Sequence, residues 1–349
     1  MKSELPDVAV FSLGGTIAAT HSGEGHSAEG HSGEGAPGNG VTPRLGADEL
    51  VAAVPQLRNV AVLETVAFRQ VASSNLTFAD LVALAGEIEK RFEAGFAGVV
   101  VTQGTDTIEE TSFALDLLVR GRRPVVVTGA MRNPTLAGAD GPANLLAAVQ
   151  VAAAPQAAGQ GTLVVLNDEI HAARFVRKTH TSSPSTFRSG PAGPIGWVVE
   201  GRVRIGLRVP ELPQVVPGVC DREVPPVALL GCAVGDDLRL VAHLREAGYA
   251  GLVLQGFGGG HVPAHVVPAL GDLAGQIPVV LASRTGEGET LTSTYGSPGS
   301  ERDLLSRGLI PAGFLDGPKA RVLLSLVLAG GSGIDGAREA FERLTALTA

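Results

Sequence analysis

The chain has 349 residues, 44% of them hydrophobic but only 4% aromatic, with 47 glycines; that is enough apolar material for two domains of ordinary size, and it suits tight βα turns better than an aromatic-rich all-β sandwich. A formal net charge of −8 without any Lys/Arg-rich run excludes the electrostatic footprint of a nucleic-acid binder and points to a small polar ligand. Two cysteines, Cys220 and Cys232, are too few for a disulfide framework or a Cys-based zinc site, and no stretch of about twenty uninterrupted apolar residues could span a membrane. The expectation is a cytoplasmic α/β protein with neither a membrane nor a nucleic-acid partner.

Val8 to Ser12 reads as a strand running into Leu13-Gly14-Gly15-Thr16, where two glycines permit a sharp turn and leave the Thr16 hydroxyl at its end. On its own, Thr16 also fits a turn hydroxyl bonding its local backbone. Residues 21–35 repeat His-Ser-Gly/Ala-Glu-Gly three times, a low-complexity stretch that cannot bury apolar surface and is expected to form a lid insertion over 21–40. Its paired histidines and glutamates leave a metal site as the alternative to a solvated loop.

A short helix is expected from Leu50 to Leu57, an edge strand from Val60 to Val66, and a polar turn at Ser73-Ser74-Asn75 before a helix from about Thr77 to Phe92. Gly98 to Val101 is a buried strand candidate followed by Gln103-Gly104-Thr105-Asp106-Thr107 and a helical pattern through Leu118. The Asp106/Glu109 spacing is that of a capping box, which puts Thr105 and Asp106 at a strand-to-helix junction, the place where open α/β sheets bind ligands. The strand from Pro124 to Thr128 empties into Gly129-Ala130-Met131-Arg132, and Asp140 caps a helix with Pro142 in its first turn. A last strand of this half, Thr162 to Leu166, precedes the cationic run Arg174 to Thr181, which on charge pattern alone is a solvated face.

The segment 211–226, ELPQVVPGVCDREVPP, has no periodicity and reads as a linker between an N-terminal domain (1–210) and a C-terminal domain (227–349). The second half repeats the βα grammar: strands at Val227 to Leu230, Gly251 to Leu254 and Pro278 to Ala282, and helices at Leu238 to Ala247 and Ala337 to Leu347. Its turn Gly256-Phe257-Gly258-Gly259-Gly260-His261 misses the dinucleotide fingerprint, because His261 stands where the third glycine belongs.

Gly-Gly-Thr16, Gly-Thr105-Asp106-Thr-x-Glu-Glu-Thr111, Gly129-Ala130-Met131-Arg132, Asp140-Gly-Pro-x-Asn144, Asn167-Asp168 through Lys178-Thr179 and Lys319-Ala320-Arg321-Val322-Leu323-Leu324 together resemble the bacterial-type L-asparaginase/glutaminase family, in order over nearly the whole chain. The resemblance implies two open, mostly parallel α/β domains, a larger flavodoxin/Rossmann-like one and a smaller C-terminal one, assembled into a homotetramer of intimate dimers whose sites lie between subunits. It implies no cofactor and no metal.

It also implies roles. Thr16 matches the threonine that attacks the side-chain amide, Thr105, Asp106 and Lys178 the supporting set, Asp106 the receiver of the α-ammonium, Ser73 and Ser74 the site of the α-carboxylate, and Ala130 the pocket wall. These residue types fit the chemistry. Amide hydrolysis needs an activated hydroxyl and a nearby base, and an amino-acid substrate needs one carboxylate and a set of donors.

The chain departs from the family where the loop tyrosine is missing around Gly40. Tyr295, at the position of a partner-subunit acidic residue, would then serve in its place, and His261 and Gln103 replace a common asparagine and histidine. The expected activity is hydrolysis of L-asparagine to L-aspartate and ammonia. The competing readings are glutamine or D-amino acid amide hydrolysis, an ammonia-feeding amidotransferase component disfavoured by the lack of an extra domain or basic surface, and a non-catalytic amino-acid sensor.

Overall fold

A computed structural model of the chain describes residues 5–15, 19–21, 41–43, 47–216 and 223–346. Contacts divide it into two compact units, Met1–Leu115 with Val119–Glu211, and Asp116–Leu118 with Leu212–Ala349.

In the first unit the elements are β1 (Asp7–Ser12), a small antiparallel pair of β2 (Ala19–His21) and β3 (Val41–Pro43), α1 (Ala47–Ala52), β4 (Val62–Ala67), α2 (Phe78–Glu93), β5 (Gly98–Thr102), α3 (Ile108–Leu118), β6 (Val125–Thr128), α4 (Gly141–Ala152), β7 (Thr162–Leu166), β8 (Glu169–Ala172), β9 (Arg177–Lys178), β10 (Phe187–Arg188), β11 (Gly196–Val199) and β12 (Arg202–Ile205). Eight strands form one sheet in the order β12-β11-β8-β7-β6-β5-β1-β4. From β4 to β7 every pairing is parallel. Numbered by themselves these five strands run 2-1-3-4-5, the flavodoxin-like order, in which ligands bind beyond the carboxyl ends of strands 1 and 3. Here those are β1 and β5. Their register pairs Ser12 with Thr102, so both chains leave the sheet at the same level.

Helices on both faces explain why β5, β6 and β7 are continuous apolar runs of GVVVT, VVVT and TLVVL, all buried. Val8, Val10, Val100, Val126, Leu163 and Val165 pack on one face against α4, whose Leu145, Ala148 and Val149 are buried; full burial of each such side chain contributes about 1.5–3 kcal/mol. α2 starts at Thr77 with both bonds of a capping box to Asp80 in place. Burial disfavours the charged form of Asp80, but bonds from Thr77 and Arg69 outweigh it and hold its carboxyl below the ordinary range.

After β7 the sheet changes sense. Asn167 and Asp168, both with left-handed backbone at φ 54° and 60°, make a two-residue turn of the kind that suits a twisted hairpin, and β8, β11 and β12 continue antiparallel. The short β9–β10 ladder lies outside the sheet.

The second unit is a four-stranded parallel sheet of β13 (Val227–Gly231), β14 (Gly251–Gly256), β15 (Val279–Ser283) and β16 (Ile310–Pro311) in that order. Its helices are α5 (Val267–Ala274), α6 (Glu301–Ser306), α7 (Gly317–Ala329) and α8 (Ile334–Thr345).

Three local expectations fail. Leu238 to Ala247 is not an α-helix but a 3₁₀ turn over Arg239–His243, because the Asp236 and Asp237 carboxylates bind the N–H groups of Leu238 and Arg239 and draw Leu238 into left-handed backbone at φ 46°. Asp106 does not cap α3: the chain passes through a 3₁₀ turn, Thr105–Thr107, and α3 starts after Thr107 without a side-chain cap. Asp140 does precede α4, but its carboxylate accepts from Met131 and Arg132 N–H, at 3.0 and 2.8 Å, rather than from the helix.

Candidate active site

At the switch point the two chain exits are pressed together backbone to backbone. Gly15, at φ 88°, lies so close to Gly104 that a Cβ placed on it would sit 2.0 Å from the Gly104 nitrogen. Only glycine fits, for reasons of both conformation and space. Thr16, the next residue in the sequence, lies outside the described residues, as do the His-Ser-Gly-Glu-Gly repeats.

Gly104 delivers Thr105, which is 7% exposed. On its other side the Gly129 turn closes in, with the Thr105 methyl 3.2 Å from where a Gly129 Cβ would stand. Ala130 follows as a buried core residue and does not line the neighbouring cavity. The Thr105 hydroxyl has one partner of note. Lys178 Nζ, reaching in from β9, donates to Thr105 Oγ1 at 2.9 Å and to Asp106 Oδ1 at 2.6 Å. The lysine side chain is 14% exposed and that of Asp106 70%, so one end of the lysine–carboxylate pair is dry and the other faces water.

A cavity of about 340 Å³, lined by Asp106, Lys178, Thr179, His180 and Thr181, opens beside this pair. Its size is that of a small-molecule site. His180 Nδ1 accepts the N–H groups of Ser182 and Ser183, both at 3.1 Å. In the neutral ring the proton therefore sits on Nε2.

Ser73 belongs to the same neighbourhood. It is buried in a 3₁₀ turn, Ser73–Asn75, its Oγ lies 2.7 Å from where a Cβ on Gly104 would be, and its carbonyl accepts from Thr107 Oγ1 at 3.1 Å. Gln103 Nε2 in turn donates to Thr107 Oγ1 at 3.2 Å. Ser74 is exposed on the same turn. The chain thus brings Thr105, Asp106 and Lys178 into direct contact and sets Ser73 against them through Gly104 and Thr107.

Two participants escaped the sequence reading. Glu109, paired there with Asp106 as a capping box, instead accepts the Lys178 main-chain N–H at 2.9 Å; His180 lay unremarked in the cationic run. Neither has a local signal, since Glu109 meets a residue far along the chain and His180 is set by a turn that sequence spacing does not reveal.

Tyr295 and His261 lie in the second unit, where their rings meet edge to face with centroids 5.0 Å apart. Glu301 organises them from α6. Fully buried, it accepts the Thr294 and Tyr295 N–H groups at 2.7 and 2.6 Å and contacts His261 Nε2 at 3.1 Å. Burial works against its ionised form, but these bonds prevail and keep its carboxyl below the ordinary range.

Among the described residues no group of three or more His, Cys, Asp or Glu side chains is arranged to hold a metal ion, and no helix is long and apolar enough to cross a membrane.

Residues 7–210 match the family profile described as Asparaginase, N-terminal, and residues 226–341 match the Glutaminase/Asparaginase C-terminal domain. A probable L-asparaginase of Deinococcus radiodurans is 37% identical over 351 residues, covering 98% of both chains. L-asparaginase 2 of Bacillus subtilis is 34% identical over 332 residues, 94% of this chain and 84% of that one. The crystal structure of a probable cytoplasmic L-asparaginase from Campylobacter jejuni superposes with a TM-score of 0.83 at 32% identity, over 97% of this chain and 99% of that one. With both profiles matched in sequence order and relatives aligned over nearly their full length, the chain belongs to the asparaginase family.

Proposed function

We propose that the protein is an L-asparaginase that hydrolyses L-asparagine to L-aspartate and ammonia through a threonine acyl-enzyme. The observation that carries this reading is the contact of Lys178 Nζ with Thr105 Oγ1 and Asp106 Oδ1 at the switch point, on a chain whose relatives bear that name. A hydroxyl, an amine and a carboxylate within hydrogen-bond reach form the proton relay that supports a neighbouring nucleophile in amide hydrolysis. In this reading Asp106, whose side chain is 70% exposed, receives the substrate's α-ammonium, and the Ser73-Ser74 turn its α-carboxylate.

In this mechanism Thr16 Oγ attacks the side-chain amide carbon, the C–N bond breaks, and ammonia leaves with one added proton. Water then attacks the ester, restoring the Thr16 hydroxyl and releasing aspartate. Thr105 and Lys178 relay the protons. The mechanism uses no cofactor and no metal.

The same reading takes residues 1–210 and 227–349 as the two domains, 211–226 as their linker, and the working form as a homotetramer of intimate dimers, with Tyr295 and His261 contributed to the partner's site. It places the enzyme in the cytoplasm. Supporting that are the two cysteines and the Campylobacter jejuni relative described as cytoplasmic, while the Haemophilus influenzae relative is named periplasmic.

Ammonia release from a panel of L-Asn, L-Gln, D-Asn and dipeptides tests the substrate, with turnover of L-Asn expected to dominate. Binding without ammonia release would instead favour an amino-acid sensor. Intact-mass measurement under turnover tests the nucleophile: Thr16→Ala is expected to lose both turnover and adduct. An adduct on that variant would make Thr105 the attacking residue.

A further inference from the structure

The β9–β10 ladder that carries Lys178 is two residues long on each side and stands apart from the main sheet. It inherits no register from the sheet, so other contacts must set where the lysine starts. At the far end of the hairpin, Ser189 Oγ lies 2.9 Å from His171 Nδ1 on β8. At the near end, Lys178 is the cross-strand partner of Phe187, yet its main-chain N–H points to α3 and donates to Glu109 Oε2 at 2.9 Å.

Glu109 is the second residue of α3, and Thr105 and Asp106 stand four and three residues before it in the continuous 3₁₀ turn. One short segment therefore grips Lys178 at both ends, the main chain through Glu109 and the ammonium through Thr105 and Asp106.

We infer that Glu109 is a positioning residue that anchors the main chain of Lys178 at the distance from which its side chain reaches the Thr105 hydroxyl. The inference rests on the proposed role of Lys178. A lysine has a long, rotamer-rich stem, and fixing its base reduces the conformations from which Nζ must find Thr105. A charge-assisted bond to a main-chain N–H is a strong way to do this. The other role open to an acid in the first turn of α3 is to complement the helix dipole with its charge. Glu109→Gln, which removes the charge and keeps a carbonyl acceptor, separates the two roles.

The test compares Glu109→Ala, Glu109→Gln and Glu109→Asp in the full-length protein. Two readouts are taken: steady-state ammonia release from L-Asn per folded enzyme, and hydrogen–deuterium exchange of the Lys178 amide. Misplacing a reacting group by about 1 Å costs up to about 100-fold in rate. Glu109→Ala is accordingly expected to lower kcat by about 10- to 100-fold with KM changed less than about 3-fold, and to speed exchange at Lys178. Glu109→Gln should stay within about 5-fold of wild type in kcat, and Glu109→Asp should fall between it and Glu109→Ala.

Wild-type kcat in folded Glu109→Ala, equal losses in Glu109→Gln and Glu109→Ala, or unchanged exchange at Lys178 would each overturn the inference. Should Glu109→Ala not fold, the Gln and Asp variants decide it by the same two readouts. A wild-type protein that releases no ammonia, with Lys178 exchange still responding to Glu109, would sink the functional reading and leave the anchor standing.

Discussion

His171 offers a quantitative test of how the first unit is held together. Its imidazole sits on β8, 1% exposed, with Nδ1 against Ser189 Oγ, and burial pushes its pKa from 6.5 down to about 4. Among the described residues Nε2 makes no hydrogen bond, and the Glu169 carboxylate, whose side chain is 36% exposed, lies 3.3 Å away.

Because the folded pKa is depressed, the sign is fixed. Well above pH 6.5 the ring is neutral in both states and adds no pH dependence. Between pH 6.5 and about 4 the unfolded chain takes up a proton that the folded chain refuses, so stability falls as pH falls. At 1.36 kcal/mol per pH unit, this gap is worth about 3 kcal/mol in full, and about 2 kcal/mol between pH 6.5 and 5.

Urea unfolding at a series of pH values, on wild type and His171→Asn, reads the difference directly. The chain's single tryptophan is a convenient reporter, since Trp197 pairs with Glu169 on the strand beside β8. Carboxylates such as Asp80 and Asp303 add acid losses of their own, but equally in both proteins. Wild type should lose about 2 kcal/mol more than the variant from pH 6.5 to 5. Parallel curves would refute the argument from burial.

Two further outcomes follow from packing. Gly15→Ala puts a methyl group into the Gly104 backbone at a left-handed φ, so it should abolish ammonia release, by misplacing the glycine turn or by unfolding the first unit; near-wild-type turnover would show that the turn has room to shift. In the second unit, Asp316 accepts the Lys319 N–H at 2.9 Å as the cap of α7 and also contacts the buried Lys319 Nζ at 3.2 Å. Asp316→Ala should cost about 3–5 kcal/mol in a urea titration, with Asp316→Ala/Lys319→Met recovering part of it; a loss under about 1 kcal/mol would mean that the pair is not what holds α7 in place.

Much of the scaffold was legible because its signals are local. Continuous β-branched runs marked β5, β6 and β7, paired glycines marked the exit of β1, and Thr77 marked the start of α2. What escaped was decided over distance. The antiparallel extension of β8, β11 and β12 is built of four-residue strands and the separate β9–β10 ladder of two-residue ones, too short for a period to declare itself. Asp106 and Glu109 have capping-box spacing, yet Lys178, about seventy residues on, takes both carboxylates: one through its ammonium, the other through its main-chain N–H. Asp140 likewise looked like a cap but serves Met131 and Arg132. In each case a polar group that local rules assign to its own helix was claimed by a partner that only the folded chain brings near.

The sheet order carries a consequence for how copies behave in a crowded solution. Among the described residues no strand pairs beyond β4 or β12, the two ends of the eight-stranded sheet, and an unpaired edge is a template on which another chain can pair. β12 reads Arg-Val-Arg-Ile, with Arg202 and Arg204 both exposed, and β4 carries Glu64 at mid-strand. Laying β12 of one copy along β12 of another would set guanidinium against guanidinium, so the edge that the antiparallel extension leaves open also repels its own kind.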